Sequence, residues 1–221
     1  ALKPFYVGAS GVQGGGWVRK EIKTLADLKG LKFRISGLGG DVFKKLGVEV
    51  VTTPPGEIMK ALESGAVDAA EWVGPYNDFA MGLYKVAKFY YQPAFHELGP
   101  GLELLVSAEK FKALGASLQK VVESACLASA AETLADFTRH NIEALDPLVK
   151  QHRVQLKLWP KDVVTAAGKA WAEVQREVAA ADALAAKVNQ SYAAYLAKAR
   201  AWSRWSDLAA LNLREQALGK G

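Results

Sequence analysis

Three predicted strands alternate with two predicted helices between residues 31 and 73, and this order restricts the fold more than any other feature. Residues 31–36, L-K-F-R-I-S, alternate apolar and polar side chains as a half-buried strand does. Residues 48–52 and 66–73 are the next two predicted strands. Because crossover connections link such strands, we expect an α/β fold whose sheet is mostly parallel, with helices covering its faces.

The two intervening helices are predicted from their end signals. Asp41 is expected to cap a short helix that ends at Gly47. The segment G-E-I-M-K-A-L-E-S-G at 56–65 places apolar residues at helical spacing and ends on Gly65 in the C-cap position. Each helix would form a crossover connection between two of the predicted strands.

The second half of the chain is predicted to be largely helical. Two more strands are expected at 89–95 and 102–107, and another at 154–159. Helix is expected from residue 108 onward, with breaks near Gly115 and Pro147, and helical sequence continues to the end.

Composition excludes several classes of protein. The 28 basic and 23 acidic residues are spread along the 221-residue chain without the Lys/Arg clusters that follow a phosphate backbone, which argues against a nucleic-acid partner. The single cysteine, Cys126, rules out an internal disulfide. The sequence opens without a basic segment followed by an apolar one, so we expect any targeting signal to be absent or already removed.

Local motifs give little support to an enzyme. The three histidines lack metal-ligand spacing, and neither a nucleophile elbow nor a P-loop is present. The turn S-G-L-G-G-D at 36–41 permits a dinucleotide-binding interpretation, but Val42 stands where the third glycine is required. A doubly wound oxidoreductase that uses this turn remains an alternative, and a tight strand-to-helix turn is the simpler interpretation.

Arg34 and the pair Glu71 and Trp72 are the candidate binding residues. Arg34 lies near the carboxyl end of a predicted parallel strand, where open α/β sheets bind ligands, and its guanidinium matches a carboxylate. A surface arginine is the alternative. Glu71 and Trp72 end another strand. Because a carboxylate would repel an anionic ligand, the two sites together imply either a bridging metal or a distant Glu71.

Two long segments carry a resemblance to a known family. These are G-V-Q-G-G-G-W-V-R-K-E-I-K-T-L-A-D-L-K-G-L-K-F-R-I at 11–35 and G-E-I-M-K-A-L-E-S-G-A-V-D-A-A-E-W-V-G-P-Y at 56–76. They resemble the periplasmic solute-binding proteins of TRAP transporters, in the subgroup that binds 2-oxo or 2-hydroxy monocarboxylates such as pyruvate or lactate. The resemblance implies a two-lobed periplasmic-binding-protein fold that carries a ligand and does not catalyse a reaction.

The resemblance also implies site residues. Arg34 would anchor the ligand carboxylate, and Gln13 would lie beside the ligand. The Glu71 side chain and the Trp72 main-chain carbonyl would hold a cation that bridges protein and ligand, with Gln13 and Glu97 as further metal ligands. Such oxygen ligands suit Ca²⁺ or Na⁺, and no catalytic cofactor is expected.

His96 departs from the family pattern. It stands where an aromatic residue such as Trp is expected. We expect His96 to contact the ligand, where its ring would keep a stacking surface and would either change the size of ligand that fits or add a titratable donor.

The resemblance implies an organisation and two protein partners. Relatives are longer at the N-terminus, so we expect the chain to begin inside the family pattern, with an incomplete first lobe. Residues 1–108 would form the α/β ligand-binding core with hinge strands, and residues 109–221 the helical remainder with C-terminal dimerisation helices. The partners would be a second copy of the chain and the TRAP membrane permease.

An apolar stripe on the predicted final helix fits that dimer, and it is formed by Tyr195, Trp202, Trp205 and Leu208. Docking of the stripe on the chain itself is the alternative. A protein-interaction module without a small ligand also remains open.

Overall fold

A computed structural model describes residues 1–219. Its strands are β1 (Leu2–Ala9), β2 (Gly16–Val18), β3 (Lys32–Arg34), β4 (Glu49–Val51), β5 (Ala69–Ala70), β6 (Phe89–Gln92), β7 (Gly101–Ser107) and β8 (Gln155–Leu158). Its α-helices are α1 (Gly37–Lys45), α2 (Ile58–Ser64), α3 (Pro75–Met81), α4 (Ala108–Ala113), α5 (Gly115–Lys150), α6 (Lys161–Ala181), α7 (Ala183–Ser203) and α8 (Asp207–Leu218).

Six strands form the main sheet, in the order β4-β3-β5-β2-β6-β8. Strand β3 pairs in parallel with both β4 and β5, as the crossover pattern predicts. Strands β6 and β8 also pair in parallel. Strand β2, which sequence reasoning missed, pairs antiparallel with both β5 and β6, so the sheet is mixed. Pairing of Arg34 with Ala70 places the residue after β5, Glu71, at the same sheet edge as Arg34.

Two sets of side chains fill the core on the main sheet. One cluster gathers apolar residues around Trp17 and Tyr90, whose rings stack with centroids 4.0 Å apart. The other is aromatic and centres on Phe43, which contacts Phe33 and Trp159 at centroid distances of 5.1 and 5.8 Å. Both clusters keep the strands that carry the site residues in fixed positions.

The first helix begins earlier than predicted. Helix α1 starts at Gly37 with Ser36 as its N-cap, so the expected cap at Asp41 is wrong. The physical reason is packing, because a β-carbon on Gly40 would lie 3.2 Å from Val50 Cγ1 and one on Gly39 would lie 3.0 Å from His96 Cδ2. These glycines therefore permit close approach within a helix, which turn propensity alone does not reveal.

Other helix ends show where local signals succeed and fail. Gly65 ends α2 in the left-handed conformation, as predicted. The break at Gly115 is present, whereas α5 continues through Pro147 to Lys150, so the predicted break there is wrong. Proline removes one helical N–H donor, and here the missing hydrogen bond falls at the last turn of the helix. The next residue, Leu148, is fully buried, so packing holds this turn in place.

The strands β1 and β7 form a separate antiparallel pair. Strand β7 was predicted, and β1 was not. The Thr133 hydroxyl of α5 donates a hydrogen bond of 3.0 Å to the Val7 carbonyl oxygen of β1. The long helix is thereby fixed to the two-stranded sheet.

The chain divides into two compact units, residues 1–170 and the residues from Trp171 onward. The functional division at 108/109 stays a prediction, and the last two residues of its 109–221 segment lie outside the described range. The final helix is not continuous, because a turn at 204–206 separates α7 from α8, and the predicted stripe therefore spans two helices. None of the helices within residues 1–219 combines the length and apolarity that crossing a membrane requires.

Candidate anion and cation site

Arg34 ends β3 and is buried, with 7% of its surface exposed. Its Nη1 donates to the Glu71 carbonyl oxygen at 2.8 Å, and its Nε donates to the Thr53 carbonyl oxygen at 3.2 Å. Two carbonyl groups thus hold the guanidinium in place, while a guanidinium has five N–H donors in all. The remaining N–H groups have the geometry and charge to bind a carboxylate.

The Glu71 carboxylate lies beside this guanidinium and is 5% exposed. Its Oε2 is 3.5 Å from Arg34 Nη1, a long contact for an ion pair. The pKa of Glu71 is raised to about 8, chiefly by burial; Arg34 lowers this pKa, and nearby Glu97 and Asp78 raise it. A second cation at this carboxylate would therefore relieve an electrostatic cost.

Gln13 approaches the same place from another part of the chain. Its side chain is buried, and the Oε1 atom has no hydrogen-bond partner among the described residues. The next residue, Gly14, donates its N–H to the Val73 carbonyl oxygen at 3.0 Å, so Gln13 adjoins the turn that contains Trp72. Because a buried amide oxygen without a partner is costly, Gln13 Oε1 is a candidate cation ligand.

Trp72 is half-buried, and its ring lies over the Arg34 guanidinium, 5.8 Å from the ring centroid to the guanidinium carbon. This cation–π contact restricts both side chains. The Trp72 main chain lies between Glu71 and Val73, which both take part in the contacts described above. The Trp72 carbonyl oxygen therefore lies in the chain between the Glu71 carboxylate and the Val73 carbonyl group that accepts from Gly14.

His96 and Glu97 occupy a neighbouring segment. The Ala94 N–H donates to the Gln13 carbonyl oxygen at 2.9 Å, which joins this segment to the Gln13 loop. Both ring nitrogens of His96 are buried without a partner among residues 1–219, and burial lowers the His96 pKa to about 4. The ring packs against Phe43 at 5.7 Å. Glu97 is exposed but close enough to raise the pKa of Glu71.

The structure therefore brings the residues predicted from the sequence to one region. The Arg34 side chain contacts both Glu71 and Trp72. Gln13 is joined to this region by the backbone hydrogen bond between its neighbour Gly14 and Val73. His96 and Glu97 belong to the adjoining loop. Sequence reasoning missed Asp78, a fully buried carboxylate on α3. Its local signal is an acidic residue in the first turn of a helix that begins at Pro75, with Gly74 as the N-cap.

The donor set fits a hard cation such as Ca²⁺ or Na⁺. It offers carboxylate oxygens from Glu71 and Glu97, the amide oxygen of Gln13 and the carbonyl oxygen of Trp72. Across residues 1–219, no three His, Cys, Asp or Glu side chains gather in a group that could hold a metal. A cation here would consequently need neutral protein oxygens, and oxygens of the ligand, in addition to carboxylates.

The glycine run after Gln13 allows the loop to pack on aromatic side chains. A β-carbon at Gly14 would overlap the Tyr90 ring. We expect Gly14→Ala to lower the free energy of unfolding by about 1–3 kcal/mol through overpacking, and to weaken ligand binding because the Gln13 loop must shift. Urea unfolding and calorimetric titration measure the two effects.

Gly56→Ala is the matched control, since a β-carbon there meets nothing within 4 Å. Equal stability and equal affinity in the two variants would contradict the close packing assigned to Gly14.

Comparison with known proteins identifies relatives over most of the chain. Residues 5–182 match the model of the DctP family, described as bacterial extracellular solute-binding protein, family 7. The monocarboxylate 2-oxoacid-binding periplasmic protein of Nostoc sp. is 41% identical over 204 residues, which cover 92% of this chain and 56% of the Nostoc protein.

Solved structures agree with this match. A TRAP periplasmic solute-binding protein from Pseudoalteromonas atlantica, with bound sodium and pyruvate, is 37% identical with a TM-score of 0.90, over 96% of this chain and 64% of its own. A TRAP solute-binding protein from Bordetella bronchiseptica is 35% identical with a TM-score of 0.93, over 98% and 64%. That structure is a mixed-occupancy dimer, with a calcium- and picolinate-bound active site versus an apo site.

The chain thus spans 56% of the Nostoc protein and 64% of each of these two solved chains. Its fold is the α/β fold of these solute-binding proteins, as the segments at 11–35 and 56–76 predict. The chain belongs to the DctP family, family 7 of the bacterial extracellular solute-binding proteins.

Proposed function

We propose that this protein captures a small 2-oxo or 2-hydroxy monocarboxylate, bound together with Na⁺ or Ca²⁺, for delivery to a TRAP permease. One observation carries the proposal. A buried guanidinium and a buried carboxylate lie side by side at one sheet edge, 3.5 Å apart, and the pKa of the carboxyl group is raised to about 8. An acid that chelates a cation supplies both the negative and the positive charge that these groups need.

The roles of the residues follow from their charges. Arg34 pairs with the ligand carboxylate, and the half-buried Trp72 ring limits the space around the guanidinium. Glu71, Gln13 and the Trp72 carbonyl oxygen bind the cation, and Glu97 contributes from the adjoining loop. The cation in turn binds one carboxylate oxygen and the adjacent oxo or hydroxyl oxygen of the acid. Each charge in the buried site is then paired.

The ligands of the relatives support this class of acid. The Nostoc protein is named for 2-oxoacid binding, and the Pseudoalteromonas structure contains pyruvate and sodium. Picolinate in the Bordetella structure also carries a donor atom next to its carboxylate, in the form of a ring nitrogen, and it is accompanied by calcium. A carboxylate with an adjacent donor is thus the shared chemistry. His96, whose ring nitrogens are buried, is proposed to contact the part of the ligand beyond these two groups.

The family also supports a location and a mode of action. Its members are described as extracellular solute-binding proteins, and the Nostoc relative is a periplasmic protein. We infer that this protein acts in the periplasm as a carrier without catalytic activity. Membrane passage of the ligand then belongs to the permease.

Thermal unfolding tests the proposal, since a ligand that binds only the native state raises the unfolding midpoint. We expect pyruvate or a related acid to raise the midpoint in calcium or sodium, and to lose this effect in a sodium-free buffer that contains chelator. Lactate and longer 2-oxo acids define the class of acid that binds. Acetate is the negative control, because it lacks the second donor next to the carboxylate. A rise with nicotinamide dinucleotides and none with any acid would instead support the oxidoreductase alternative.

We also propose that the C-terminal helices mediate a homodimer. Tyr195, Trp202, Trp205 and Leu208 are all largely exposed, up to 85% for Trp205. Aromatic residues are enriched in the cores of protein interfaces, and the Bordetella relative is a dimer.

We expect the double variant Trp202→Ser/Trp205→Ser to be monomeric where the parent protein is dimeric, because it removes the largest apolar groups of the stripe. Sedimentation velocity measures this change. Leu127→Ser, at an exposed position of α5, is the control and should leave the dimer intact. A monomeric parent protein would refute the dimer.

A further inference from the structure

The Asp78 carboxylate is almost fully buried, with 1% of the residue exposed, and it accepts four hydrogen bonds. Its Oδ1 accepts from the main-chain N–H groups of Val73 and Gly74, at 3.0 and 3.1 Å. Its Oδ2 accepts from Trp17 Nε1 and from the Tyr90 hydroxyl, both at 2.8 Å. A carboxylate has about four acceptor positions, so this one is saturated by donors from three other elements.

Two of the four donors, the N–H groups of Val73 and Gly74, directly follow the proposed cation ligands Glu71 and Trp72 along the chain. The Tyr90 ring contacts the position of Gly14, next to Gln13, where it leaves no room for a β-carbon. The Gly14 N–H in turn donates to the Val73 carbonyl oxygen at 3.0 Å. Asp78 thus lies at the junction of the Glu71–Gly74 turn and the Gln13 loop.

We propose that Asp78 is a positioning residue for the cation site, which holds the Trp72 carbonyl oxygen and the Gln13 side chain at the separation that a bound cation requires. The inference rests on the proposed function. It goes beyond that function because Asp78 touches neither the cation nor the acid in this account. Partners of this kind, one step removed from the metal, typically change metal affinity by about 10- to 100-fold when they are replaced.

The negative charge of Asp78 adds to this role. Burial raises the Asp78 pKa to about 6, although all four donors favour the ionised form, so the group is mainly ionised at neutral pH. Its charge is also among the causes that raise the pKa of Glu71. Asp78 therefore makes the region around Glu71 more favourable for a cation, in addition to fixing its geometry.

An amide cannot replace this carboxylate. Asparagine offers one oxygen and one NH₂ group. The NH₂ group would therefore face either the N–H groups of Val73 and Gly74 or the donors of Trp17 and Tyr90. The Tyr90 hydroxyl can rotate and accept, but the Trp17 ring N–H and the two main-chain N–H groups cannot. At least one hydrogen bond is lost in Asp78→Asn, and either the turn or the Trp17 side chain must move.

The test compares Asp78→Asn with Leu83→Ala, which removes a fully buried side chain from the core cluster that also contains Trp17 and Tyr90 but leaves all four donor groups and the carboxylate in the chain. Calcium affinity is measured by calorimetry at saturating pyruvate, and stability by urea unfolding. We expect Asp78→Asn to weaken calcium binding about tenfold or more, and Leu83→Ala to change it less than about twofold at a comparable loss of stability. Equal calcium affinities in the two variants would overturn the proposal.

Tyr90→Phe is the second variant, for use if Asp78→Asn does not fold. It removes one of the four donors and keeps the ring stacked on Trp17, so we expect about two- to fivefold weaker calcium binding. Parental affinity in Tyr90→Phe would count against the positioning role.

A ligand-free readout separates this proposal from the proposed function. Hydrogen exchange at residues 71–74 and 13–15 should accelerate in Asp78→Asn and not in Leu83→Ala. If the parent protein binds no cation and no acid while this acceleration is still seen, the proposed function has failed, and Asp78 is a structural clamp only. If the parent protein binds both and Asp78→Asn binds them equally well, the positioning role alone has failed.

Discussion

Arg34→Lys is expected to raise the dissociation constant for pyruvate about 100-fold at saturating calcium, although the positive charge is retained. The guanidinium presents planar paired donors to a carboxylate, whereas an ammonium group acts as a point charge. Lysine would also lose the simultaneous contacts to the carbonyl oxygens of Thr53 and Glu71 that hold the head group. Losing charge-assisted hydrogen bonds worth about 3 kcal/mol corresponds to this change in affinity.

Calorimetric titration of pyruvate checks this expectation, with urea unfolding to confirm that the variant is folded. Lys32→Ala is the matched control, since it removes a basic side chain from the same strand at an exposed position. Unchanged pyruvate affinity in Arg34→Lys would remove Arg34 from the site. A loss of affinity in Lys32→Ala as large as that in Arg34→Lys would assign the effect to net charge instead.

The stability of the ligand-free protein is expected to fall by about 2 kcal/mol as the pH rises from 6.5 to 8. The folded-state pKa of Glu71, about 8, lies above its usual value of 4.5. Between these values the folded protein binds more protons than the unfolded chain, so stability decreases with pH, at about 1.4 kcal/mol per pH unit. The charged groups that act on Glu71 are Arg34, Glu97 and Asp78.

Two other buried groups titrate at lower pH. Asp78 has a pKa of about 6, so its ionisation also makes stability fall as the pH rises, between pH 4 and 6. The pKa of His96 is lowered to about 4, so His96 acts in the opposite direction. The unfolded chain binds more protons than the folded protein at this residue, and stability falls as the pH falls from 6.5 to 4. Above pH 6.5, Glu71 is therefore the main source of the dependence among these three groups.

Urea unfolding in chelator at several pH values measures this effect, and Glu71→Gln should abolish it. Cation binding requires the ionised carboxylate, so calcium affinity should rise about tenfold per pH unit up to pH 8 and then level off. Glu71→Gln should lose most calcium affinity at all pH values. A parent protein whose stability and calcium affinity are both constant from pH 6.5 to 8 would contradict the buried environment of Glu71.

Much of the sheet could be predicted because its signals are local. Alternation at 31–36 and the glycine C-cap at Gly65 depend on neighbouring residues only, and both correspond to observed elements. Strand β2 is three residues long and follows a glycine run, so no periodicity marks it. Its place between β5 and β6 comes from tertiary packing of Trp17 on Tyr90.

The site was predictable to the extent that it depends on strand ends. Arg34 and Glu71 were each predicted at the end of a strand, with either a bridging metal or a distant Glu71 left open. The register of β3 and β5 places the two residues at the same sheet edge. The position of Gln13 came from resemblance alone, and its role in cation binding stays a prediction. Asp78 was missed because two of its four donors, Trp17 and Tyr90, come from strands β2 and β6, 61 and 12 residues away in sequence.

Calorimetric titration of pyruvate into the parent protein, in calcium, in sodium and in a sodium-free buffer that contains chelator, measures whether capture of the acid depends on a cation. We expect binding of one pyruvate per chain in the presence of one of the two cations, loss of that binding in a sodium-free buffer that contains chelator, and recovery when the cation is restored. Pyruvate binding that persists in sodium-free chelator, or the absence of binding by any 2-oxo or 2-hydroxy acid in either cation, would contradict the proposed cation-dependent capture.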